Sequence, residues 1–241
     1  MSALSLPISE TFLSIQGEGK LTGVPSFFIR TSGCNLRCRW CDTPYASWNP
    51  EGTQRTIDDL VRETLASGAR HTVITGGEPM IFEPIASLCA QLQQHAIHIT
   101  IETAGTVFLN APFDLMSISP KLSTSTPLEG DERDPAGTWR ERHEQRRTNI
   151  PALQSLIDAA RTPGRDLQLK FVACAPADLA EIDALLAQLT AWTPGDVMLM
   201  PEGVTTPDPA ATRWIVDACL DRGWRYCRRL HIDLFGNRRG T

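Results

Sequence analysis

The segment GCNLRCRWCDTPY (residues 33–45) contains three cysteines, Cys34, Cys38 and Cys41, separated by steps of four and three residues. Such steps span at most about 10 to 14 Å in an extended chain, so the three thiolates can bind one compact metal centre. Two close cysteines are typical of a redox disulfide, and four are typical of a structural zinc site. Three cysteines therefore indicate a centre with one coordination position that no protein side chain occupies.

A 4Fe-4S cluster fits this pattern. Three thiolates leave its fourth iron open to a second molecule, whereas electron-transfer clusters of this type normally take four cysteines. Gly33 and Asn35, on either side of the first cysteine, suit a loop that bends sharply and points backbone amides at sulfide. The alternative is a zinc site in which one histidine joins the three cysteines. The candidate histidines are His71, His95, His98, His143 and His231.

The chain has the length and composition of one globular domain. Its 241 residues suffice for a single core, and 41% hydrophobic and 21% charged residues are ordinary values. A net charge of -5 gives no general attraction to nucleic acid or anionic lipid, which favours a small-molecule substrate. The N-terminal residues resemble no secretory leader, and no stretch reaches the roughly 18 to 20 apolar residues of a membrane span. With seven cysteines, an odd number that fits a reducing compartment, these features predict a cytoplasmic protein.

Short apolar segments alternate with segments of helical periodicity along most of the chain. The predicted strands are 26–31, 72–77, 98–103, 114–120, 166–172 and 196–203. The predicted helices are 56–68, 82–95, 150–161, 175–189 and 208–223. This alternation predicts a parallel sheet with crossover helices, and about six strands are fewer than the eight of a closed barrel. We therefore expect an α/β fold, a partial (open) TIM-like barrel with ligands at the carboxyl ends of its strands.

One segment, residues 130–149 (GDERDPAGTWRERHEQRRTN), is highly charged and has no apolar periodicity. It lies between the fourth predicted strand and the helix that follows. We interpret it as a charged surface excursion from a single domain that spans residues 1–241.

Two motifs resemble the signatures of radical S-adenosylmethionine (SAM) enzymes. The segment CNLRCRWC (34–41) matches their C-x3-C-x2-C pattern, and TGGEP (75–79) resembles their second signature. Within that superfamily the chain resembles the 7-carboxy-7-deazaguanine synthase family over nearly its whole length. The similar segments are TFLSIQGEG (11–19), FFIRTSGCNLRCRWCDT (27–43), ITGGEP (74–79), IET (101–103), SPKLSTSTP (119–127), QLKFV (168–172), MPEG (200–203) and RLHIDLFGNRRG (229–240).

The resemblance implies two cofactors and the residues that bind them. Cys34, Cys38 and Cys41 would bind a 4Fe-4S cluster whose free iron chelates the methionyl amine and carboxylate of SAM. One electron would then split SAM into methionine and a 5′-deoxyadenosyl radical. The residues expected to contact SAM are Trp40, Cys41, Asp42, Gly77, Ser119, Pro120 and Lys121. Without the resemblance, Lys121 is simply a surface lysine after a strand.

The resemblance also implies the substrate, 6-carboxy-5,6,7,8-tetrahydropterin, and the product, 7-carboxy-7-deazaguanine, formed with loss of ammonia for queuosine and other deazapurines. Arg30 is expected to make a two-pronged contact with the substrate carboxylate. Thr43 is expected to coordinate a Mg²⁺ ion that bridges to the substrate. Further substrate contacts are expected from Ile15, Gln16, Gly17, Glu18 and Thr75. Without the resemblance, Arg30 would be a surface cation at a strand end, Gln16 and Glu18 would belong to an ordinary turn, and Thr43 would belong to a helix cap.

An electron donor such as a flavodoxin and a homodimer are further implications of the resemblance. The link to tRNA would be metabolic, with no direct contact to nucleic acid or membrane. One rival function is a radical SAM activase of a glycyl-radical enzyme, although the chain has no second cysteine cluster. The other rival is a zinc-stabilised binding module. The chain differs from the family pattern in having ETAG (102–105) in place of ETNG and in its terminal segment GNRRGT (236–241).

Overall fold

The computed structural model describes residues 4–241, and in that range the chain forms one open sheet with helices in its connections. The strands are β1 (Ser5–Ile15), β2 (Pro25–Thr31), β3 (Thr53–Thr56), β4 (His71–Gly76), β5 (His98–Thr103), β6 (Leu115–Ile118), β7 (Asp166–Ala173), β8 (Val197–Pro201) and β9 (Arg225–Tyr226). Their order across the sheet is β3-β1-β2-β4-β5-β6-β7-β8-β9, so the described strands do not close into a complete barrel.

The six predicted strands are confirmed as β2 and β4 to β8, which pair in parallel. The sequence did not predict β1 and β3, which pair antiparallel at one edge, or the two-residue β9 at the other edge. A register shift between Ile8 and Glu10 interrupts the alternation of β1, and β3 (TQRT) is polar throughout, so neither has a clear strand pattern. The observed sheet confirms the expected partial, open barrel.

The helices are α1 (Ile57–Ala66), α2 (Pro84–Gln94), α3 (Thr138–Arg146), α4 (Ile150–Ala160), α5 (Asp178–Leu186), α6 (Arg213–Arg222) and α7 (Leu230–Phe235). Five of them, α1, α2 and α4 to α6, were predicted. Two begin at recognisable caps, because Thr56 accepts a hydrogen bond from Asp59 N and Asn149 accepts one from Ala152 N. Of the helices in residues 4–241, none combines the length and the apolar character that crossing a membrane requires.

The charged segment 130–149 contains α3, which the sequence did not predict because TWRERHEQR has almost no apolar residues. Most of the segment is exposed. Two of its polar side chains, Asp134 and His143, are nevertheless buried. His143 ties the segment to the body of the protein through Arg37 N and Ser125 Oγ, whereas Asp134 accepts a hydrogen bond from Arg140 N within the segment.

The central strands have an apolar face and a partly polar face. Side chains such as Ile29 and Ile74 are fully buried in a core shared with the helices. Because side chains alternate along a strand, the next residues point into the open barrel, and the register aligns Arg30 with Thr75 there. The same inner row continues across the sheet with Glu102, Ser117 and Gln168. Of this polar row, Arg30, Thr75 and Glu102 line the candidate site.

Candidate active site

A cavity of about 700 Å³ opens at the carboxyl ends of the parallel strands. Most of the predicted site residues line it, namely Ile15, Gln16, Gly17, Glu18, Arg30, Trp40, Cys41, Asp42, Thr43, Thr75, Gly77, Ser119 and Lys121. Three predicted residues of the described range, Cys34, Cys38 and Pro120, are not part of the lining. The fold therefore brings most of the predicted residues together, and of the three clustered cysteines it is Cys41 that reaches the cavity.

The cysteine loop, defined as residues 33–43, is held by hydrogen bonds to neighbouring segments. Trp48 Nε1 donates to the carbonyl oxygen of Cys38 over 2.9 Å. Asn35 Nδ2 donates to Thr106 Oγ1 over 3.0 Å. These bonds come from segments on both sides of the loop, so the protein backbone sets the positions of the sulfur atoms.

The sulfur atoms of the cysteine loop suit a positively charged iron–sulfur core. Leu36 N donates to Cys34 Sγ over 3.3 Å, and Cys41 Sγ lies 3.1 Å from Ser47 Oγ. Burial is the main cause that raises the pKa of Cys34 to about 12, and it also raises the pKa of Cys38. Buried thiols of this kind become thiolates when a metal centre compensates their charge. The site therefore fits a 4Fe-4S cluster.

A single metal ion fits the site less well. In the described range, no group of three or more His, Cys, Asp or Glu side chains could hold one ion. A 4Fe-4S cluster offers a separate iron to each thiolate, so its ligands need not converge on one point. His143, one of the candidate zinc ligands, has Nδ1 3.3 Å from Arg37 N and Nε2 2.8 Å from Ser125 Oγ. Both of its ring nitrogens have protein partners, which argues against the zinc alternative.

The second signature motif is packed directly against the cysteine loop. A Cβ atom on Gly77 would overlap the carbonyl oxygen of Gly33, and Gly76 has a φ of +144°, a value that favours glycine. Glu78 is fully buried, and its carboxylate accepts hydrogen bonds from two backbone amides and from Thr103 Oγ1. The contact between the motifs therefore requires Gly77, while Gly76 is required by its backbone conformation and by its contact with Thr31, and both glycines line the cavity.

The predicted SAM-contacting residues of two distant segments are neighbours in space. Trp40 Nε1 donates to the carbonyl oxygen of Thr124 over 3.1 Å. Lys121 Nζ donates to Ser119 Oγ over 2.8 Å and lies 5.6 Å from the centre of the Trp40 ring. The segment after β6 thus meets the cysteine loop at the cavity.

Four charged side chains that line the cavity, Glu18, Glu102, Lys170 and Arg229, form a network that we call the charged wall. Lys170 Nζ lies 2.5 Å from Glu18 and 3.1 Å from Glu102, and Arg229 Nε lies 3.4 Å from Glu18. Burial alone would raise the pKa of Glu18, but Lys170 and Arg229 outweigh it and lower that pKa to about 2. Burial would likewise lower the pKa of Lys170, but Glu102 and Glu18 raise it. Glu18 and Lys170 therefore present fixed charges to a ligand.

Arg30, at the end of β2, has an acidic partner on β1. Its Nε donates to Glu10 Oε1 over 2.7 Å, and the Tyr45 hydroxyl donates to the same oxygen over 2.8 Å. Arg239 approaches the other Glu10 oxygen to 3.3 Å and stacks over the Tyr45 ring at 4.1 Å. The segment 236–241 thus reaches the cavity, which Thr241 also lines.

The sequence assigned no role to several residues that line the cavity. They include Glu102, Lys170, Arg229 and Arg239, and His231, which also lines the cavity, was considered only as a zinc ligand. A signal was available for Lys170, because a lysine inside the apolar strand DLQLKFV has to be paired or to face a cavity. Arg229 and His231 belong to a short terminal segment whose pattern does not predict a position in the fold.

The open α/β barrel, the three-cysteine loop and the cavity at the carboxyl ends of the strands define a radical SAM enzyme. The family model for the Radical SAM superfamily matches residues 28–147, which include the cysteine loop and the second signature motif.

The relatives are similar over almost the entire chain. The 7-carboxy-7-deazaguanine synthase of Rhodopirellula baltica is 49% identical over 241 residues, which cover 100% of this chain and 90% of the relative. The enzyme of the same name from Halobacterium salinarum is 42% identical, and the match covers 97% of this chain and 91% of the relative. The crystal structure of QueE from Escherichia coli matches with a TM-score of 0.70 at 28% identity, covering 94% of this chain and 95% of that chain. The chain belongs to the 7-carboxy-7-deazaguanine synthase family.

These findings confirm the predicted family and fold class, and they favour neither rival function. Membership of the radical SAM superfamily implies a 4Fe-4S cluster and SAM as cofactors.

Proposed function

We propose that the chain is a radical SAM lyase that converts 6-carboxy-5,6,7,8-tetrahydropterin to 7-carboxy-7-deazaguanine with loss of ammonia, a step of queuosine and deazapurine synthesis. The observation that carries the proposal is one cavity lined both by the cysteine loop, through Cys41, and by the charged wall. A radical reaction requires that the radical is formed next to the substrate, and a cavity shared by the cysteine loop and the charged wall meets this requirement.

The cysteine loop and its neighbours would hold the two cofactors. Cys34, Cys38 and Cys41 would bind the cluster, and the residues proposed to contact SAM are Trp40, Cys41, Asp42, Gly77, Ser119, Pro120 and Lys121. When bound, the cluster supplies the electron that cleaves SAM, and SAM supplies the radical that removes a substrate hydrogen. Lys121 contributes a cation beside the Trp40 ring, where a carboxylate or ribose oxygen of SAM would be stabilised.

The other side of the cavity would orient the pterin. The ionised carboxylate of Glu18 is an acceptor only, so it suits the N–H groups of the pterin ring. Glu10 engages the Nε atom of Arg30, and no group within residues 4–241 hydrogen-bonds to the terminal guanidinium nitrogens, which can therefore bind the substrate carboxylate. Further substrate contacts are proposed for Ile15, Gln16, Gly17 and Thr75.

Thr43 is proposed to coordinate Mg²⁺ together with substrate oxygens and waters. Mg²⁺ prefers hard oxygen ligands and commonly takes few of them from the protein. Thr43 lines the cavity and precedes a short helical turn, yet its side chain makes no capping hydrogen bond there. Cys41 Sγ lies 3.7 Å from the Thr43 hydroxyl oxygen, a long contact that leaves oxygen lone pairs available to an ion, which would draw charge from the substrate during the rearrangement.

We also propose that residues 1–241 form a single domain, that the enzyme is a cytoplasmic homodimer, and that a flavodoxin-like protein reduces it. One continuous sheet across residues 4–241 supports the single domain. All seven cysteines are free, which suits a reducing compartment. The dimer and the donor rest on the family resemblance.

The decisive test is to reconstitute the protein without oxygen and to incubate it with SAM, dithionite, Mg²⁺ and the carboxytetrahydropterin. We expect mass spectrometry to detect 7-carboxy-7-deazaguanine and 5′-deoxyadenosine. Formation of 5′-deoxyadenosine without the deazapurine would agree with a radical SAM enzyme but would refute the proposed substrate.

The substrate role of Arg30 is tested by Arg30→Ala. We expect product formation to fall by roughly 100-fold, the effect of a lost bidentate contact, while reductive cleavage of SAM changes much less. The matched control is Arg55→Ala, which removes an arginine that pairs with Glu63 outside the cavity. Equal losses of SAM cleavage and product in the Arg30 variant would refute the assignment.

A further inference from the structure

Arg37, between the first two cluster cysteines, is a buried arginine that the proposed mechanism does not use. Its residue exposure is 7%, although the cysteine loop lies near the surface. Its Nη1 atom donates to the carbonyl oxygens of Cys34 and Leu36, over 2.8 and 2.7 Å. The guanidinium is therefore folded back onto the same loop that carries the cysteines.

The Nε atom of Arg37 is buried, and it has no hydrogen-bond partner among the described residues. A buried N–H without a partner is costly, so it calls for an acceptor. Burial lowers the pKa of Arg37, and the nearby sulfur atoms of Cys34, Cys41 and Cys38 oppose this shift. A cluster bound by these three cysteines would bring acceptor sulfides to the same neighbourhood.

The charged segment 130–149 holds Arg37 in this position. The guanidinium carbon lies 3.9 Å from the ring centre of Trp139 on α3, which covers it from the outside. One turn further along α3, His143 Nδ1 accepts a hydrogen bond from Arg37 N over 3.3 Å. Arg146 Nη1 donates to the carbonyl oxygen of Asn35 over 3.3 Å. The charged segment 130–149, although its composition is that of a solvated loop, therefore holds the cysteine loop in place.

The charge of Arg37 has a defined effect on a redox centre. Three thiolates around a 4Fe-4S core make the oxidised site negative, and reduction adds one more electron without forming or breaking a bond. A positive charge in a poorly solvated place stabilises the more negative, reduced state, and hydrogen bonds to cluster sulfur act in the same direction. Burial under Trp139 keeps water from screening this charge.

We propose that Arg37, held by α3 of the charged segment, is a positioning and tuning residue that raises the reduction potential of the cluster and so eases its one-electron reduction. This inference rests on the proposed function only in so far as the cysteine loop binds the cluster. It assigns a role to the segment 130–149 that the reaction itself does not require.

The test is an EPR-monitored redox titration of the reconstituted holoenzyme without SAM or substrate, with dithionite as the electron source. For Arg37→Met we expect the ratio of reduced to oxidised cluster at a fixed potential to fall about tenfold, which is about 59 mV for a one-electron couple. Arg37→Lys keeps the charge and should restore most of the wild-type ratio. The matched control, Arg39→Met, removes an exposed charge from the same loop and should leave the ratio within about twofold.

An unchanged potential in a fully loaded Arg37→Met enzyme would overturn the proposal, as would an equal shift in Arg37→Lys and Arg37→Met. If the methionine variant does not retain iron, Arg37→Gln is measured, because it keeps a donor for the carbonyl oxygens of Cys34 and Leu36 but removes the charge. A lower potential is expected there, and a wild-type potential would refute the inference. These readouts contain no substrate, so failure of the deazapurine assay with an intact potential shift would affect the proposed function alone.

Discussion

The cysteine loop and the charged wall line one cavity but are built in different ways. The loop takes its metal ligands from the short stretch 34–41, and its backbone is tied in place by bonds such as that from Trp48 to Cys38. The wall takes its charges from the loop after β1, from β5, from β7 and from the segment before α7. Its central pair, Glu18 and Lys170, is separated by 152 residues along the chain.

This difference predicts how each region responds to substitution. In the cysteine loop, the cysteine side chains bind the cluster, whereas hydrogen bonds from other residues hold the backbone in place. Losing one cysteine ligand should therefore abolish the reaction with little effect on folding. In the wall, each buried charge is stabilised by the others, and removing one partner leaves an uncompensated charge. Substitutions in the wall should therefore reduce stability and activity together.

The largest effect is expected for Cys38→Ala. With two thiolates left, the cluster should not be retained, so the brown colour, the bound iron and the formation of 5′-deoxyadenosine should all fall to roughly 1% of wild type or less. Iron analysis and chromatography of anaerobically reconstituted protein measure these quantities. The matched control is Cys89→Ala, since Cys89 is fully buried in the core on α2, and this variant should keep its iron and its activity. Full iron loading of the Cys38 variant would contradict the assignment of ligands.

The next effect concerns the wall. Lys170→Met removes the cation shared by Glu18 and Glu102, and we expect a loss of roughly 3 kcal/mol in the free energy of unfolding, because Glu102 loses its cation and Glu18 keeps only Arg229. Product formation should fall about 100-fold because the substrate is no longer oriented, while iron content stays at the wild-type level. Urea unfolding of the holoenzyme and product assays check both parts.

Lys20→Met is the control for this variant, because Lys20 pairs with Asp166 and Asp196 and does not line the cavity. It should cost no more than about 1 kcal/mol. A Lys170 variant that lost activity with unchanged stability would mean that the wall does not depend on mutual compensation of charge, and the contrast with the cysteine loop would disappear.

The same contrast explains what could be predicted from the sequence. The cysteine triplet and the GGEP motif are contiguous, and the central parallel strands are strongly apolar, so these parts were identified with nearly the observed bounds. The pairing of Lys170 with Glu18 depends on strand order, which no local pattern contains. Likewise α3 and β3 lack apolar periodicity, and their places are decided by tertiary contacts such as the burial of His143.

The smallest expected effect concerns β4, the strand that we expect to support both the cysteine loop and the charged wall. His71 on β4 is buried, with its ring nitrogens 2.7 Å from Ser26 Oγ and 2.8 Å from Thr100 Oγ1. Burial, assisted by the neighbouring His98 ring at 5.1 Å, lowers the pKa of His71 from 6.5 to about 4. The unfolded chain therefore takes up a proton here as the pH falls below 6.5, while the folded chain does so only near pH 4, and the free energy of unfolding decreases over that window.

Between pH 7.5 and pH 5.5 the expected loss from this side chain is about 1 kcal/mol. Urea unfolding of the holoenzyme without oxygen, followed by both cluster absorbance and tryptophan fluorescence, measures it, and His71→Gln should lack this part of the pH dependence. If β4 supports both regions, the two signals should shift together. A cluster signal that is lost at lower urea than the fluorescence would instead show that the cysteine loop unfolds independently of the sheet that carries the charged wall, because its own local hydrogen bonds would then determine its stability.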